Sequence, residues 1–277
     1  MTFTGSTFTS STRARITRLF EDLQQQGRSA LIGYLTAGDP ALERTPSLVW
    51  ALERGGVDLI ELGVPFSDPI ADGPVIQRAC ERALGAGATL GRILEVAAQI
   101  RERSPIPLLL FSYLNPVLRY GLEAAARDAR AAGVDGFLLT DLAVEEAERY
   151  VAVLREHGLD SVFLAAPTST EARLRKVAHY SSGFVYLVSR TGVTGEREAL
   201  SDSVRRLIQA MRLITRLPLA VGFGISRPEH VAALSGLVDG VVVGSAFVRI
   251  IERYGHDPAL EDRLEALARE LRQSLGR

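Results

Sequence analysis

Short, continuous apolar runs alternate along this chain with stretches whose apolar residues recur every three or four positions. The second pattern is typical of amphipathic helices, as around Val204, Leu207 and Met211. The continuous runs predict strands that are buried on both faces, as in a parallel sheet covered by helices. Eight such runs are present, at 29–36, 57–63, 106–113, 134–141, 159–166, 183–189, 217–223 and 238–245.

The number and spacing of the runs predict a single α/β domain over 1–277, a closed (βα)8 TIM barrel. Successive runs lie about 30 residues apart on average, which is the size of a βα unit. A weak repeat supports the same unit, since four of the runs open with a similar motif: GVD at 56–58 and 133–135, GLD at 158–160 and LVD at 237–239. A doubly wound open sheet is the alternative.

An extra helix is predicted before the first strand, with Ile16, Leu19, Phe20 and Leu23 on one face, covering the bottom of the barrel. Residues 1–12, which are rich in Ser and Thr, are expected to form a flexible tail. They lack the apolar core of a secretion signal, and we therefore expect a cytoplasmic protein.

Composition then narrows the classes of function. The chain is 47% hydrophobic and 23% charged, with a net charge of −1, so it has no general bias toward nucleic acid or anionic membranes. No apolar run approaches the roughly 20 residues of a membrane span. Cys80 is the only cysteine, and its helical surroundings predict a buried structural thiol.

The first candidate for a catalytic residue is Glu61, which interrupts the second apolar run. Active sites of such barrels lie at the C-terminal ends of the strands. Side chains alternate along a strand, so Ile60 and Leu62 should face the helices while Glu61 points into the barrel. Burial would raise the pKa of its carboxyl and suit it to acid–base catalysis near neutral pH. A Glu satisfied by backbone groups or by a buried Arg is the structural alternative.

The second run is followed by a long loop, VPFSDPIADGP at 64–74, which carries Asp68 and Asp72. Loops longer than usual βα connections often have a function. Asp-Pro and Asp-Gly are also common turn dipeptides. Turn chemistry is therefore favoured for Asp68, whereas for Asp72 a turn and a functional role both remain open.

Glycine-rich segments follow the last three runs. GFGIS at 222–226 and GSAF at 244–247 each precede a helical pattern, and the loops after strands seven and eight are the usual phosphate site of this fold. SRTGVTGERE at 189–198 is long enough to act as a lid. Tight βα turns are the alternative for each of these segments.

The sequence offers no candidate residues for Schiff-base catalysis or for metal catalysis. The only lysine, Lys176, lies in a helical pattern, which argues against a Schiff base inside the barrel. The histidines fall in helices or connections rather than at strand ends, and we expect no metal site. Carboxylate acid–base chemistry on a small phosphorylated substrate remains. The histidines are His157, His179, His230 and His256.

The residues that carry this chemistry also resemble a known family, the tryptophan synthase α subunits. The most specific match is LIELGVPFSDPIADGPVIQ at 59–77, and the similarity runs from about Ala30 to Tyr254. Positions 143, 184 and 191 depart from the usual family pattern. The shorter matches, in the right order, are YLTAGDP (34–40), YLNPVLRYG (113–121), SRTGVTG (189–195), GFGIS (222–226) and GSAFV (244–248).

The resemblance implies reversible retro-aldol cleavage of indole-3-glycerol phosphate to indole and glyceraldehyde 3-phosphate, in tryptophan biosynthesis. By analogy, Glu61 is the general acid and base, and Asp72 binds the indole N–H. Thr194, in the lid, would contact Asp72 on closure. The substrate-binding positions implied are Tyr34, Tyr113, Asp141, Tyr186, Thr194, Gly195, Phe223, Gly224, Gly244 and Ser245.

The resemblance also implies a partner. A β subunit carrying pyridoxal phosphate would assemble with this chain in an αββα heterotetramer, while this chain itself needs no cofactor. A stand-alone indole-3-glycerol phosphate lyase and a non-catalytic barrel are the alternatives. The residues on the implied partner face are Asp68, Pro69, Asn115 and Pro116.

Overall fold

The computed structural model describes residues 14–188, 202–222 and 224–276. Over these residues, parallel strands form a ring and α-helices surround it. The expected tail at 1–12 and the candidate lid at 189–198 lie outside the described residues. The strands are β1 Ala30–Thr36, β2 Leu59–Gly63, β3 Leu108–Ser112, β4 Gly136–Leu139, β5 Asp160–Val162, β6 Leu164–Ala165, β7 Val185–Val188, β8 Leu219–Gly222 and β9 Gly240–Val243.

Helices follow the strands on the outside of the ring. Two short 3-10 helices, Leu42–Arg44 and Val144–Glu146, precede α2 and α7. The α-helices are α1 Arg15–Gln25, α2 Thr45–Arg54, α3 Pro74–Gly85, α4 Leu90–Arg101, α5 Leu114–Tyr120, α6 Leu122–Ala131, α7 Glu148–Glu156, α8 Glu171–Tyr180, α9 Asp202–Ile214, α10 Pro228–Ala232, α11 Ser245–Tyr254 and α12 Leu260–Ser274.

The ring closes through the fifth predicted run. The strand order is β5-β4-β3-β2-β1-β9-β8-β7-β6, and all pairs are parallel. β5 and β6 are two pieces of that run, interrupted at Phe163, because its first half pairs with β4 and its second half with β7. The Tyr186 N–H donates to the Phe163 carbonyl at 3.1 Å across this junction. The (βα)8 barrel is thus confirmed, and the open-sheet alternative is wrong.

The strands bury two separate layers of side chains, as their alternation predicts. Ile60 and Leu62 of β2 belong to the outer layer between strands and helices. Leu59 belongs to the inner layer, with Leu109 and Leu138 of the next two strands. Because burial of one such side chain contributes about 1.5–3 kcal/mol, both layers fix the register of every strand.

Helix α1 covers the bottom of the barrel, as predicted. Ile16, Phe20 and Leu23 are buried and join the inner layer. The Phe20 ring lies 5.5 Å from the ring of Phe184, between centroids. No helix among the described residues is long and apolar enough to cross a membrane.

The aspartates of the sequence repeat bind neighbouring strands together at the bottom of the barrel. Three of them accept a hydrogen bond from the backbone N–H at the start of a neighbouring strand, at 2.7 to 2.9 Å. Each of the three also pairs with an arginine at 2.8 to 3.3 Å. The partners are Leu31 and Arg272 for Asp58, Leu108 and Arg101 for Asp135, and Leu219 and Arg212 for Asp239.

Candidate active site

Glu61 is buried inside the barrel near the end of β2, where alternation predicts it. It is 1% exposed, and its Oε1 atom has no hydrogen-bond partner among the described residues. Burial raises the pKa of its carboxyl from the usual 4.5 to about 8. The alternative of a structurally satisfied Glu is therefore not supported by this geometry.

Tyr34 of β1 and Tyr186 of β7 are buried in the same inner layer. Burial raises the pKa of each phenol, and the negative charges of Glu61 and Asp72 contribute further. Both carboxyl groups thus lie within electrostatic range of both phenols. The Tyr34 hydroxyl also shares a 3.2 Å hydrogen bond with the Thr36 hydroxyl.

Two inward-facing glycines make room for these rings. A Cβ atom on Gly63 would overlap the Tyr34 hydroxyl, and one on Gly222 would overlap the Tyr186 hydroxyl. Sequence reasoning missed both glycines. The signal that could have identified them is a glycine at an inward position of a strand, where a bulky residue is usual.

Asp72 is held by Tyr113. The Tyr113 hydroxyl donates to Asp72 Oδ2 at 2.9 Å and accepts from the Ala71 N–H at 3.0 Å. Burial raises the pKa of Asp72 to about 6, while the Tyr113 hydrogen bond lowers it. The hydrogen bond from Tyr113 thus joins the Asp72 side chain to the end of β3. This link to a neighbouring strand supports a functional role for Asp72 over turn chemistry.

The part of the loop before Asp72 is more exposed to solvent. Asp68 is exposed, and its Oδ2 atom accepts from the Ser67 hydroxyl at 2.7 Å. Pro69 is half-buried, whereas Ile70 is 86% exposed. This pattern agrees with the favoured interpretation of Asp68 as part of the loop architecture.

Asp141 lies at the end of β4 but is exposed, and its Oδ1 accepts from the Leu114 N–H at 2.7 Å. Leu114 begins α5, so Asp141 fixes the helix that carries Asn115 and Pro116. In this helix Asn115 is exposed and Pro116 is half-buried. The structure thereby brings Asp141 to the predicted partner face.

The candidate phosphate site is formed by neighbouring strand ends. β8 pairs with β9, so the segments after them lie side by side. Gly244 precedes α11 and Ser245 begins it, leaving N–H groups of the first turn without intrahelical acceptors. Gly224 adopts a left-handed φ of 79° after β8. Thr194, Gly195 and Phe223 lie outside the described residues.

Lys176 and Cys80 lie where the sequence predicts them. Lys176 is exposed on α8, and Cys80 is buried in α3, where burial raises the pKa of its thiol to about 11. Among the described residues, no group of three or more His, Cys, Asp or Glu could hold a metal ion. The side chains that the structure brings together at this end of the barrel carry carboxyl and phenol groups.

The buried Glu61 has a measurable effect on stability. Because its folded pKa of about 8 exceeds the usual 4.5, the folded state holds a proton that the unfolded state loses between these values. Its stabilisation is full below pH 4.5 and falls as the pH rises, by about 1.4 kcal/mol per pH unit. Glu61→Gln should remove this loss, so its stability relative to the unsubstituted chain should grow by on the order of 4 kcal/mol between pH 5 and 8.

Urea unfolding at several pH values checks this prediction. Glu53→Gln, a substitution on the half-exposed surface of α2, serves as the control and should follow the unsubstituted chain at every pH. A constant difference between Glu61→Gln and the unsubstituted chain across this range would contradict the raised pKa.

A closed (βα)8 barrel with two carboxyl groups of unequal pKa at its C-terminal end, next to a helix N-terminus, defines an acid–base barrel enzyme. Comparison with known proteins identifies the family. The model of the tryptophan synthase alpha chain family matches residues 20–275. The tryptophan synthase alpha chain of Solibacter usitatus is 68% identical over 262 residues, covering 95% of this chain and 98% of that protein.

More distant relatives agree. The tryptophan synthase alpha chain of Methanosarcina mazei is 48% identical and covers 95% of both chains. A crystal structure of tryptophan synthase subunit alpha from Legionella pneumophila superposes with a TM-score of 0.88 at 38% identity, covering 95% of this chain and 98% of that one. The chain therefore belongs to the tryptophan synthase alpha chain family. The expected family, fold and carbon–carbon lyase activity on indole-3-glycerol phosphate are confirmed.

Proposed function

We propose that Glu61 and Asp72 divide the work of cleaving indole-3-glycerol phosphate. The observation that supports this division is their unequal acidity, with pKa values of about 8 and about 6. Near pH 7 Glu61 is then mostly protonated and Asp72 mostly ionised. Two carboxyl groups whose environments separate their pKa values can serve as acid and as charge stabiliser in one site.

In the proposed reaction, Glu61 gives its proton to C3 of the indole ring. The ring becomes a cation that carries its N–H, and the Asp72 carboxylate accepts a hydrogen bond from that N–H. The bond between C3 and the glycerol chain then breaks, and its electrons restore the indole ring. The adjacent hydroxyl becomes the aldehyde of glyceraldehyde 3-phosphate, and its proton returns to the Glu61 carboxylate.

The buried site favours this sequence for a physical reason. Glu61 Oε1 has no protein partner among the described residues, so its proton is not committed to another acceptor there. Asp72 is oriented by Tyr113, which limits the loss of freedom when substrate binds. Tyr34 and Tyr186 lie buried in the inner layer, within electrostatic range of both carboxyl groups.

The phosphate end of the substrate is proposed to lie at the strand ends of β8 and β9. Gly244 and Ser245 lie at the N-terminus of the ten-residue helix α11, where backbone N–H groups and the helix dipole attract anions. Gly224 has no side chain that could obstruct the approach of the phosphate group. By family resemblance, Thr194, Gly195 and Phe223 complete the site, and Thr194 contacts Asp72 when the lid closes.

The chain is further proposed to act in the cytoplasm with a β subunit in an αββα heterotetramer, with pyridoxal phosphate on the partner and no cofactor of its own. The partner face would comprise Asp68, Pro69, Asn115 and Pro116. Exposed apolar side chains adjoin these residues, since Ile70 is 86% and Leu118 is 56% exposed. Tyr113 joins the two segments through its bonds to Ala71 and Asp72.

Indole release from indole-3-glycerol phosphate, measured with and without added β chain, tests this assignment. We expect slow release by the chain alone and a large stimulation by the β chain. Ile70→Glu should lose most of the stimulation, because it places a charge in an apolar contact.

Leu213→Glu is the matched control. Leu213, on α9, is 90% exposed and lies outside the proposed face, so this variant should keep the full stimulation. A high rate without the β chain, unchanged by its addition, would instead establish a stand-alone lyase. Release under neither condition would leave a non-catalytic barrel.

A further inference from the structure

The end of the loop between β2 and α3 is held by hydrogen bonds rather than by apolar packing. None of the residues from 67 to 74 is buried, and Ile70 is 86% exposed. Burial of apolar side chains, which fixes the strands and helices, therefore contributes little to the conformation of this segment. Asp72 lies within it, so the position of the Asp72 carboxyl depends on the polar bonds that hold the segment.

The backbone before Asp72 forms a turn that two side chains hold. Within the turn, the Asp72 N–H donates to the Pro69 carbonyl at 3.0 Å. The first of the two side chains is Tyr113, which accepts from the Ala71 N–H and donates to Asp72 Oδ2. The second is Gln77, whose Nε2 donates to the Asp72 carbonyl at 2.9 Å and to the Pro69 carbonyl at 3.4 Å. Gln77 therefore bonds both ends of the turn.

The place and the chemistry of Gln77 suit it to hold this turn. It lies in the first turn of α3, and Ile76, Ala79 and Cys80 of that helix are buried in the inner layer of the barrel. Its side chain thus projects from a well-packed element. Both of its acceptors are carbonyl oxygens, and the NH₂ group of a glutamine has two donors to offer them. Among the bonds of the described residues, the Asp72 carbonyl accepts from Gln77 alone.

We infer that Gln77 is a positioning residue for the cleavage of indole-3-glycerol phosphate. It holds the backbone of Asp72 while Tyr113 holds the carboxyl, so the carboxylate is in place before the ring cation forms. A carboxylate on a loosely held loop must be ordered during the reaction, and that cost reduces its stabilisation of the cation. The inference rests on the proposed role of Asp72 and gives Gln77 no proton or substrate contact of its own.

Gln77→Met tests the inference, because it keeps the length and the helix propensity of the side chain and removes both donors. We expect kcat for indole release by the full chain to fall by about fivefold to thirtyfold, as for the loss of one or two neutral hydrogen bonds. KM should change by less than about threefold, because Asp72 matters most once the ring is positively charged. A role confined to stability would leave kcat of the folded chain unchanged.

Gln99→Met is the matched control. Gln99 is exposed on α4, so the same substitution there should leave kcat and KM at their original values. A loss in this variant equal to that in Gln77→Met would show that the effect does not come from the bonds to the turn, and the inference would fail.

A double-mutant cycle shows whether Gln77 acts through Asp72. In an Asp72→Ala background the carboxylate is gone and its position no longer affects the rate, so adding Gln77→Met should cost less than about twofold. The same loss in both backgrounds would contradict the inference. A mild effect of Asp72→Ala by itself would refute the proposed role of Asp72, and the inference with it. A loss of at least about a hundredfold in Asp72→Ala, with Gln77→Met unchanged, would refute the inference alone.

Hydrogen exchange of the backbone amides, followed by NMR, supplies a readout that needs no turnover. The N–H groups of Ala71 and Asp72 are both bonded in the turn, so Gln77→Met should make them exchange at least about threefold faster. Gln99→Met should leave both rates as they are. Unchanged exchange in Gln77→Met would mean that the turn holds without Gln77 and would overturn the inference.

Discussion

Glu61→Gln is expected to lower turnover of indole-3-glycerol phosphate by at least about 10²–10⁴-fold, the usual contribution of a general acid or base. The amide has the shape of the protonated carboxyl but cannot give its proton to C3. Because Glu61 is protonated near neutral pH, with a pKa of about 8, the substitution changes little charge in the ground state. Substrate affinity should therefore stay within a fewfold of the original value.

Single-turnover indole release and equilibrium binding of the substrate separate these two effects. The stability prediction for the same variant supplies an internal check, since a variant that is more stable above neutral pH and inactive cannot have lost activity by unfolding. Undiminished turnover would refute the assignment of Glu61. A loss of binding that matches the loss of turnover would give Glu61 a role in holding substrate instead.

Asp72→Asn is expected to lower turnover by orders of magnitude, about 10²-fold or more, because the ring cation loses its charged partner in a partly desolvated site. Asparagine keeps a carbonyl acceptor and can still bond to Tyr113, so the loop should keep its conformation. The rate of C–C cleavage is then the quantity that falls, and it is measured under saturating substrate.

Asp68→Asn is the matched control, since Asp68 lies in the same loop and is exposed. It should leave cleavage by the isolated chain near its original rate. A second comparison uses Tyr113→Phe, which removes a hydrogen bond that lowers the pKa of Asp72. The acid limb of its pH–rate profile should move to higher pH. A mild effect of Asp72→Asn would reduce this residue to turn chemistry.

The site also illustrates why a functional carboxyl is costly to the fold. Glu61 is 1% exposed with an unpartnered Oε1, and Asp160 at the other end is 6% exposed with an unpartnered Oδ2. Buried polar atoms without partners destabilise a protein, and they are retained where a ligand or a reaction uses them. At Glu61, this physical feature supports the catalytic proposal.

Local patterns in the sequence determined the barrel and the position of its principal acid. The eight apolar runs correspond to the strand positions, because a strand buried on both faces needs a continuous apolar run. The alternation of side chains by itself predicts that Glu61 points into the barrel, since the period of a strand is two residues. The family resemblance then assigned the reaction, which the comparisons confirm.

Tertiary structure decided which of these residues meet. The break at Phe163 follows from ring closure, which no local pattern records. The bond from Tyr113 to Asp72 and the overlap that Gly63 avoids with Tyr34 join different strands or loops, so only packing reveals them. The aspartates of the repeat look alike in sequence, yet three of them pair with arginines, whereas Asp160 pairs with no arginine among the described residues. The reason is that periodicity fixes the direction of a side chain, whereas its contacts and pKa depend on distant segments folded against it.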